Sequence, residues 1–184
     1  MTAPPPAALS ADAFLAAMAR VPSPVTIVTT RDEDGRPWGF TASSFCSVSL
    51  DPPLILVCLA QSANCHPVFA RCAAIAISVL QPGHAALARR FASKTGDKFA
   101  GAPFTSLPAS IEVVAGAVAI FACTVARRIP AGDHTILLGR VQHAEAWPAR
   151  TPAVYLDRAH QRPGPAHADT GLWNEVVRPG ARPR

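Results

Sequence analysis

The residues best suited to chemistry occur as short runs. Asp133 and His134 stand side by side after Gly132, at the head of the apolar run Thr135 to Val141. A carboxylate beside an imidazole can fix the ring of a binding or proton-transferring histidine. Gly-Asp is also an ordinary turn pair, so a plain strand-edge turn accounts for the same letters. A second run is GFTASSFCSVSLDPP, residues 39–53. There Gly39 lets backbone pass close to a ligand, and Thr41, Ser43 and Ser44 offer hydroxyls and amides in a row, a wall suited to a flat heteroaromatic ring with acceptors on its edge. A strand rich in Thr and Ser explains the run equally well. In LAQSANCHP, residues 59–67, Ser62 and Asn64 precede a helix expected to start at Pro67, an arrangement that could hold an anion. Finally RRFASKTGDKF, residues 89–99, carries Arg89, Arg90, Lys94 and Lys98, which serve a phosphate or simply a solvated helix end.

Other chemistries lack their residues. No glycine-rich dinucleotide fingerprint, P-loop or nucleophile elbow occurs. The five cysteines (46, 58, 65, 72 and 123) include no CxxC pair and several lie in apolar runs, so free, mostly buried thiols are expected and no metal site. The formal charge of +5 is spread along the chain and aromatic residues are only 7%, so neither a basic helix face nor a stacking platform for nucleic acid is present. The longest uncharged apolar stretch, Val113 to Ala126, is 14 residues, too short for a helix that spans a bilayer. The N-terminus has no basic residues ahead of an apolar run, so a cytoplasmic protein is expected.

The elements that must position these residues are mostly strands. With 184 residues the chain suits one domain with tails: a disordered or extended N-terminal tail at 1–9, a folded domain over 10–160 and a Pro/Arg-rich tail over 161–184 whose only anchors are Leu172, Trp173 and Val176. Ser10 is a fitting N-cap for a helix over Ala11 to Ala19. The β-branched run Val25 to Thr30 reads as a strand, and Asp34-Gly35 as the turn of a hairpin. Strand-like patterning continues through 41–50, 54–60, 74–80, 111–128, 134–146 and 153–156, with short helices at 67–72 and 83–93. Such a succession, without regular βαβ alternation, predicts a mainly β fold, an antiparallel barrel decorated by short helices. Apolar residues at 49% exceed what a small monomer buries, which favours an oligomer.

Taken in order, GFTASSF, SVSLDPPLILVCL, an S-x-N stretch, RRFAS, DKF and GDHTILLGRV resemble the flavin reductase-like domain, from about Phe14 to Tyr155. The resemblance implies an FMN-binding split β-barrel of Greek-key type, a homodimer, and transfer of hydride from NADH or NADPH to FMN or FAD, with reduced flavin supplied to a partner flavin-dependent monooxygenase. It further implies that Thr41, Ala42, Ser43 and Ser44 line the isoalloxazine with Cys58 and Leu59 beside it. Ser62 and Asn64 would reach the ribityl and phosphate, and Arg90, Phe91, Ala92 and Lys98 would complete the phosphate side. His134, with Asp133 as neighbour, would lie where the nicotinamide docks. In this reading the cofactors carry the difficult electronics and the protein supplies orientation. A split-barrel flavoprotein that retains its flavin and reduces another acceptor, and a flavin-binding module without turnover, remain open. This chain has Pro24 where the family usually shows glycine, and SAN where SxT is common.

Overall fold

The computed structural model describes residues 9–107 and 111–161. Most of the two expected tails, with Leu172, Trp173 and Val176, lies outside the described residues. Helix α1, Ala11–Ala19, starts where expected, because the Ser10 hydroxyl accepts the Ala13 amide at 3.1 Å. It is followed by β1 (Ser23–Pro24), β2 (Thr26–Arg31), β3 (Pro37–Ala42), β4 (Cys46–Ser49), β5 (Leu54–Ala60), α2 (His66–Phe69), β6 (Ala74–Val79), a 3-10 turn at Pro82–His84 and α3 (Ala85–Ala92). Then come β7 (Phe104–Ser106), β8 (Glu112–Val114), β9 (Ala119–Ala131), β10 (His134–Ala146), β11 (Val154–Leu156) and β12 (Ala159–Gln161).

Seven strands form one antiparallel sheet in the order β3-β2-β6-β9-β10-β5-β4. Three local hairpins are thus joined by crossovers between distant strands, the Greek-key split barrel that the family resemblance implies. The edge strands β3 and β4 do not pair with each other, so the barrel stays open along one seam. Two smaller sheets, β1-β11-β12 and β7-β8, pack outside.

β2 shows why the interior holds. Its sequence TIVTTR places Val28 among Phe40, Val57, Phe69 and Ile77 inside the barrel, while Ile27 faces the other way under Leu87 and Phe91 of α3. A strand covered on both faces is apolar or β-branched throughout, and its threonines must be satisfied in place. Thr26 donates to the Ala42 carbonyl at 2.8 Å and Thr30 to that of Ala74 at 2.7 Å.

Three sequence readings need correction. The continuous strand expected from Thr41 breaks at residues 43–45, between β3 and β4. The strand expected at 111–128 is interrupted at Gly116, whose φ of +79° turns the chain, so β8 and β9 belong to different sheets. The helices expected at 67–72 and 83–93 are the shorter α2 and a 3-10 turn followed by α3.

Candidate active site

The break after β3 creates a groove of about 360 Å³ between the open seam of the barrel and the C-terminal end of α3. One wall is Thr41, Ala42, Ser43 and Ser44; the other is Cys58, Leu59 and Ala60 at the end of β5, continued by Ser62 and Asn64. Phe91, Ala92 and Lys98 close the far end, and His134 stands at the rim.

The hydroxyls of the first wall divide their work. Thr41 Oγ1 donates to the Ala88 carbonyl at 2.7 Å, so its proton fastens β3 to α3 and its lone pairs remain for a ligand. Ser44 Oγ accepts the Cys58 amide at 2.8 Å and donates to the Cys58 carbonyl at 3.4 Å, bridging the seam as a missing ladder bond would. Ser43 is exposed and its hydroxyl makes no bond among those described, leaving it for a ligand. On the second wall, Asn64 Nδ2 donates to the Lys94 carbonyl at 2.8 Å and ties this loop to the segment after α3. Pro67 does fall in the first turn of α2, but that helix has only four residues, and the amide of His66 is already bonded to Ala63 at 2.9 Å. The His66 amide is therefore not presented to an anion, while Ser62 and Asn64 line the groove.

The closed end carries the cation. Lys98 Nζ donates to the Phe91 carbonyl at 2.9 Å and the Gly39 carbonyl at 3.4 Å. No carboxylate lies within ion-pair distance of it among the described residues. Burial pulls its pKa below that of an ordinary lysine. The neighbouring Cys65 thiol is pushed up by its own burial. Gly39 makes this packing feasible: a β-carbon there would meet Phe91 Cε1 at 2.7 Å and the Val28 carbonyl oxygen at 2.9 Å.

At the rim, β9 and β10 are joined by the two-residue turn Gly132-Asp133, with Gly132 at φ +59°, the glycine-first arrangement of a type II′ hairpin. Antiparallel pairing then sets His134 opposite Ala60, on the groove wall. Asp133 lies outside the groove with its side chain 93% exposed, and its Oδ1 meets His134 Nδ1 at 2.7 Å. That bond holds the Asp133 carboxyl below the usual carboxylate range and orients the imidazole. Gln61, whose amide donates to the Asp133 carbonyl at 2.9 Å, clamps the turn to the end of β5.

All but two of the sequence-derived site residues line the groove; the exceptions are Asp133 and Arg90. The Arg90 guanidinium instead donates to the Ala100 carbonyl at 3.1 Å and buttresses the loop that carries Lys98. Cys65 and Ser93 lie within the runs LAQSANCHP and RRFAS but were not singled out as site residues; Lys94 was visible as part of the cationic run. A larger cleft of about 680 Å³ lies across Thr41–Ser43 beside Arg89 and Arg158. Among the described side chains its lining holds no imidazole and nothing from β5, so the chemistry converges on the smaller groove. Among the described residues no cluster of metal-ligating side chains occurs.

The groove therefore has a polar edge, an apolar second wall, an uncompensated cation at one end and an imidazole at the other. That combination suits a flat ring bearing an anionic tail, with access for a second ring beside the histidine. The flavin reductase like domain matches residues 18–164. The chain is 56% identical over 142 residues to the actinorhodin polyketide dimerase of Streptomyces coelicolor, covering 77% of this chain and 80% of that protein. It is 37% identical over 160 residues to the NADH:riboflavin 5'-phosphate oxidoreductase of Streptomyces pristinaespiralis, covering 86% and 91% of the two chains. The NADH:FAD oxidoreductase of Streptomyces globisporus, solved with NAD and FAD fragments, superposes with a TM-score of 0.80 at 36% identity over 86% of this chain and 94% of its own. With the ordered motifs, the split barrel and the groove in agreement with this match, the chain belongs to the flavin reductase like domain family.

Proposed function

We propose that this chain is an NADH- or NADPH-dependent flavin reductase whose flavin occupies the groove between Thr41–Ser44 and Cys58–Ala60. The observation that carries the reading is Lys98, a half-buried ammonium without a carboxylate partner among the described residues, placed at the end of a slot whose other end holds His134. A phosphate at Lys98 would offset the desolvation of the cation. The walls then fit a planar ring: backbone amides and the free Ser43 hydroxyl along one edge, Ala60 and Ala63 as apolar surface.

Bound flavin would supply the two-electron redox chemistry that oxidises the reduced nicotinamide. The chain's own part is orientation. Ser44 fixes the spacing of the two walls, and the Asp133 carboxylate accepts Nδ1–H of His134 and so holds Nε2 where it can accept a hydrogen bond from the nicotinamide amide N–H. Because the rim is open, a second ring can approach from solvent and the reduced product can leave.

Release to a monooxygenase partner is the use we propose for that product, by analogy with relatives such as the reductase component of the flavin-dependent trigonelline monooxygenase of Acinetobacter baylyi, 40% identical over 119 residues. We also propose a homodimer. Phe14, Leu15 and Met18 are 53%, 52% and 48% exposed on one face of α1, a helix with no buried residue, and a second copy would cover them. Sedimentation at the mass of a single chain would remove this part of the reading. The free thiols suit a reducing compartment, and we place the protein in the cytoplasm.

The test is oxidation of NADH and NADPH by purified protein, with and without riboflavin, FMN or FAD. The expected result is a rate that depends on added flavin and saturates with it. No acceleration above the rate in free solution would overturn the proposal.

A further inference from the structure

Gln61 is the first residue beyond β5, where the ladder between β5 and β10 stops at the pairing of Ala60 with His134. Past that pairing the Gly132-Asp133 turn projects from the sheet, and Ala131, Gly132 and Asp133 are all exposed. The contact between Asp133 Oδ1 and His134 Nδ1 does not by itself fix the imidazole. The Asp133 side chain is 93% exposed and that of His134 42%, so solvent screens the pair, and two adjacent residues can move together. The aim of the ring is settled only where the backbone of the turn is held from outside the hairpin.

Gln61 supplies that hold. Its backbone amide donates to the Asp133 carbonyl at 2.9 Å. Its side-chain amide donates to the Gly132 carbonyl at 3.3 Å and to the His134 carbonyl at 3.4 Å. Three consecutive carbonyls of the turn therefore meet one residue, and the two N–H protons of a carboxamide match the two outer ones. A glutamate of the same length would aim acceptors at acceptors, and a methionine would fill the space without donating.

The loop that Gln61 opens also faces the flavin groove. Ser62, Ala63, Asn64 and Cys65 line it. The loop is braced internally by bonds from the Ala63 amide to the Ala60 carbonyl at 3.0 Å and from the His66 amide to the Ala63 carbonyl at 2.9 Å. At its far end His66 Nε2 lies 3.0 Å from the hydroxyl oxygen of Thr135, the residue after His134. One short loop thus grips β10 on both sides of the histidine and supplies part of the flavin wall. The spacing between a ring in the groove and the His134 imidazole is set within this loop.

We propose that Gln61 is a positioning residue for hydride transfer: its carboxamide fixes the backbone of the turn from Gly132 to His134 and so aims His134 Nε2 at the nicotinamide amide. The inference rests on the reductase reading of the groove and on the role given there to His134. Gln61 does not line the groove and acts through the histidine.

The experiment is steady-state oxidation of NADH at saturating FMN by the full chain, by Gln61→Met, by His134→Ala and by the double variant, with FMN titrated into each. Gln61 is exposed, so its replacement leaves the core intact. Gln61→Met removes the two side-chain hydrogen bonds. The KM for NADH is expected to rise about two- to tenfold, while the Kd for FMN stays at the wild-type value. In the His134→Ala background the same substitution should change KM no further, because the group it aims is gone. An unchanged KM in Gln61→Met, equal effects in the two backgrounds, or a parallel loss of FMN affinity overturns the inference and leaves the reductase reading in place. His134→Ala kinetics equal to wild type would overturn the inference together with the role of the histidine. Absence of flavin-dependent NADH oxidation by the unaltered chain would overturn both the reductase reading and the inference.

Discussion

Lys98→Met separates a phosphate-binding role from a merely structural one. In the free protein Lys98 Nζ makes two hydrogen bonds, to the Phe91 carbonyl at 2.9 Å and the Gly39 carbonyl at 3.4 Å. An ammonium carries three donors, so one remains for a ligand. A hydrogen bond involving a charged group contributes about 1.5–3 kcal/mol, and about 1.4 kcal/mol is tenfold in affinity, so FMN should bind about ten- to a hundredfold more weakly to the variant. Riboflavin, which has the ring and ribityl chain but no phosphate, should bind as before. Titrating both ligands into both proteins gives the comparison. Equal weakening of riboflavin would mean that Lys98 acts by shaping the end of the groove, and unchanged FMN binding would place the phosphate elsewhere; either result refutes the reasoning. The pH dependence adds an independent check. Burial lowers the pKa of Lys98 in the folded protein, so the folded state releases this proton before the unfolded state does. Between the lowered folded pKa and the ordinary lysine value the unfolded chain holds more protons, and stability therefore rises with pH. FMN affinity should fall across the same window as the ammonium is lost. Both trends should vanish in the Met variant.

Gly39→Ala brings a β-carbon to 2.7 Å from Phe91 and 2.9 Å from the Val28 carbonyl oxygen. The ring must move against Phe99 and Phe104, so a loss of about 1–3 kcal/mol in denaturant unfolding is expected, and an unchanged midpoint would contradict the packing described. His134→Ala should raise the KM for NADH and lower turnover without altering the Kd for flavin, since the imidazole stands at the rim and the flavin walls lie deeper. Steady-state kinetics paired with flavin titration tests this, and unchanged kinetics would leave the Asp133–His134 pair as a turn alone.

How far the chain could be read depended on how local each signal was. Helix α1 is legible because a cap and an apolar face are set by neighbours in sequence, and the Ser10 to Ala13 bond realises the cap. The strands are legible from β-branched runs such as Val25 to Thr30. The ordered motifs carried the family and, with it, the split barrel. The segment 111–128 was misread because one glycine in a left-handed conformation, Gly116, outweighs a long run of strand-forming residues. The row from Thr41 to Ser44 lines the groove, while the Thr41 hydroxyl donates to α3 and that of Ser44 bridges to Cys58. Sequence shows that a hydroxyl is present; only packing decides whether it is already satisfied.

The same division holds for the charged residues. Arg89, Arg90, Lys94 and Lys98 are equivalent as letters, but the path of the chain after α3 sends Arg90 to the Ala100 carbonyl and brings Lys98 under Phe91, out of reach of any carboxylate among the described residues. By itself the sequence determined the strands, the caps and turns, the family and the set of groups available for chemistry, because those follow from near neighbours and from motif order. The tertiary structure alone decided which of those groups meet. The pairing of β10 with β5 places His134 opposite Ala60, and the open seam between β3 and β4 makes room for a ligand. Register between strands distant in sequence is fixed by burial and long-range hydrogen bonding, and no local run of residues encodes it.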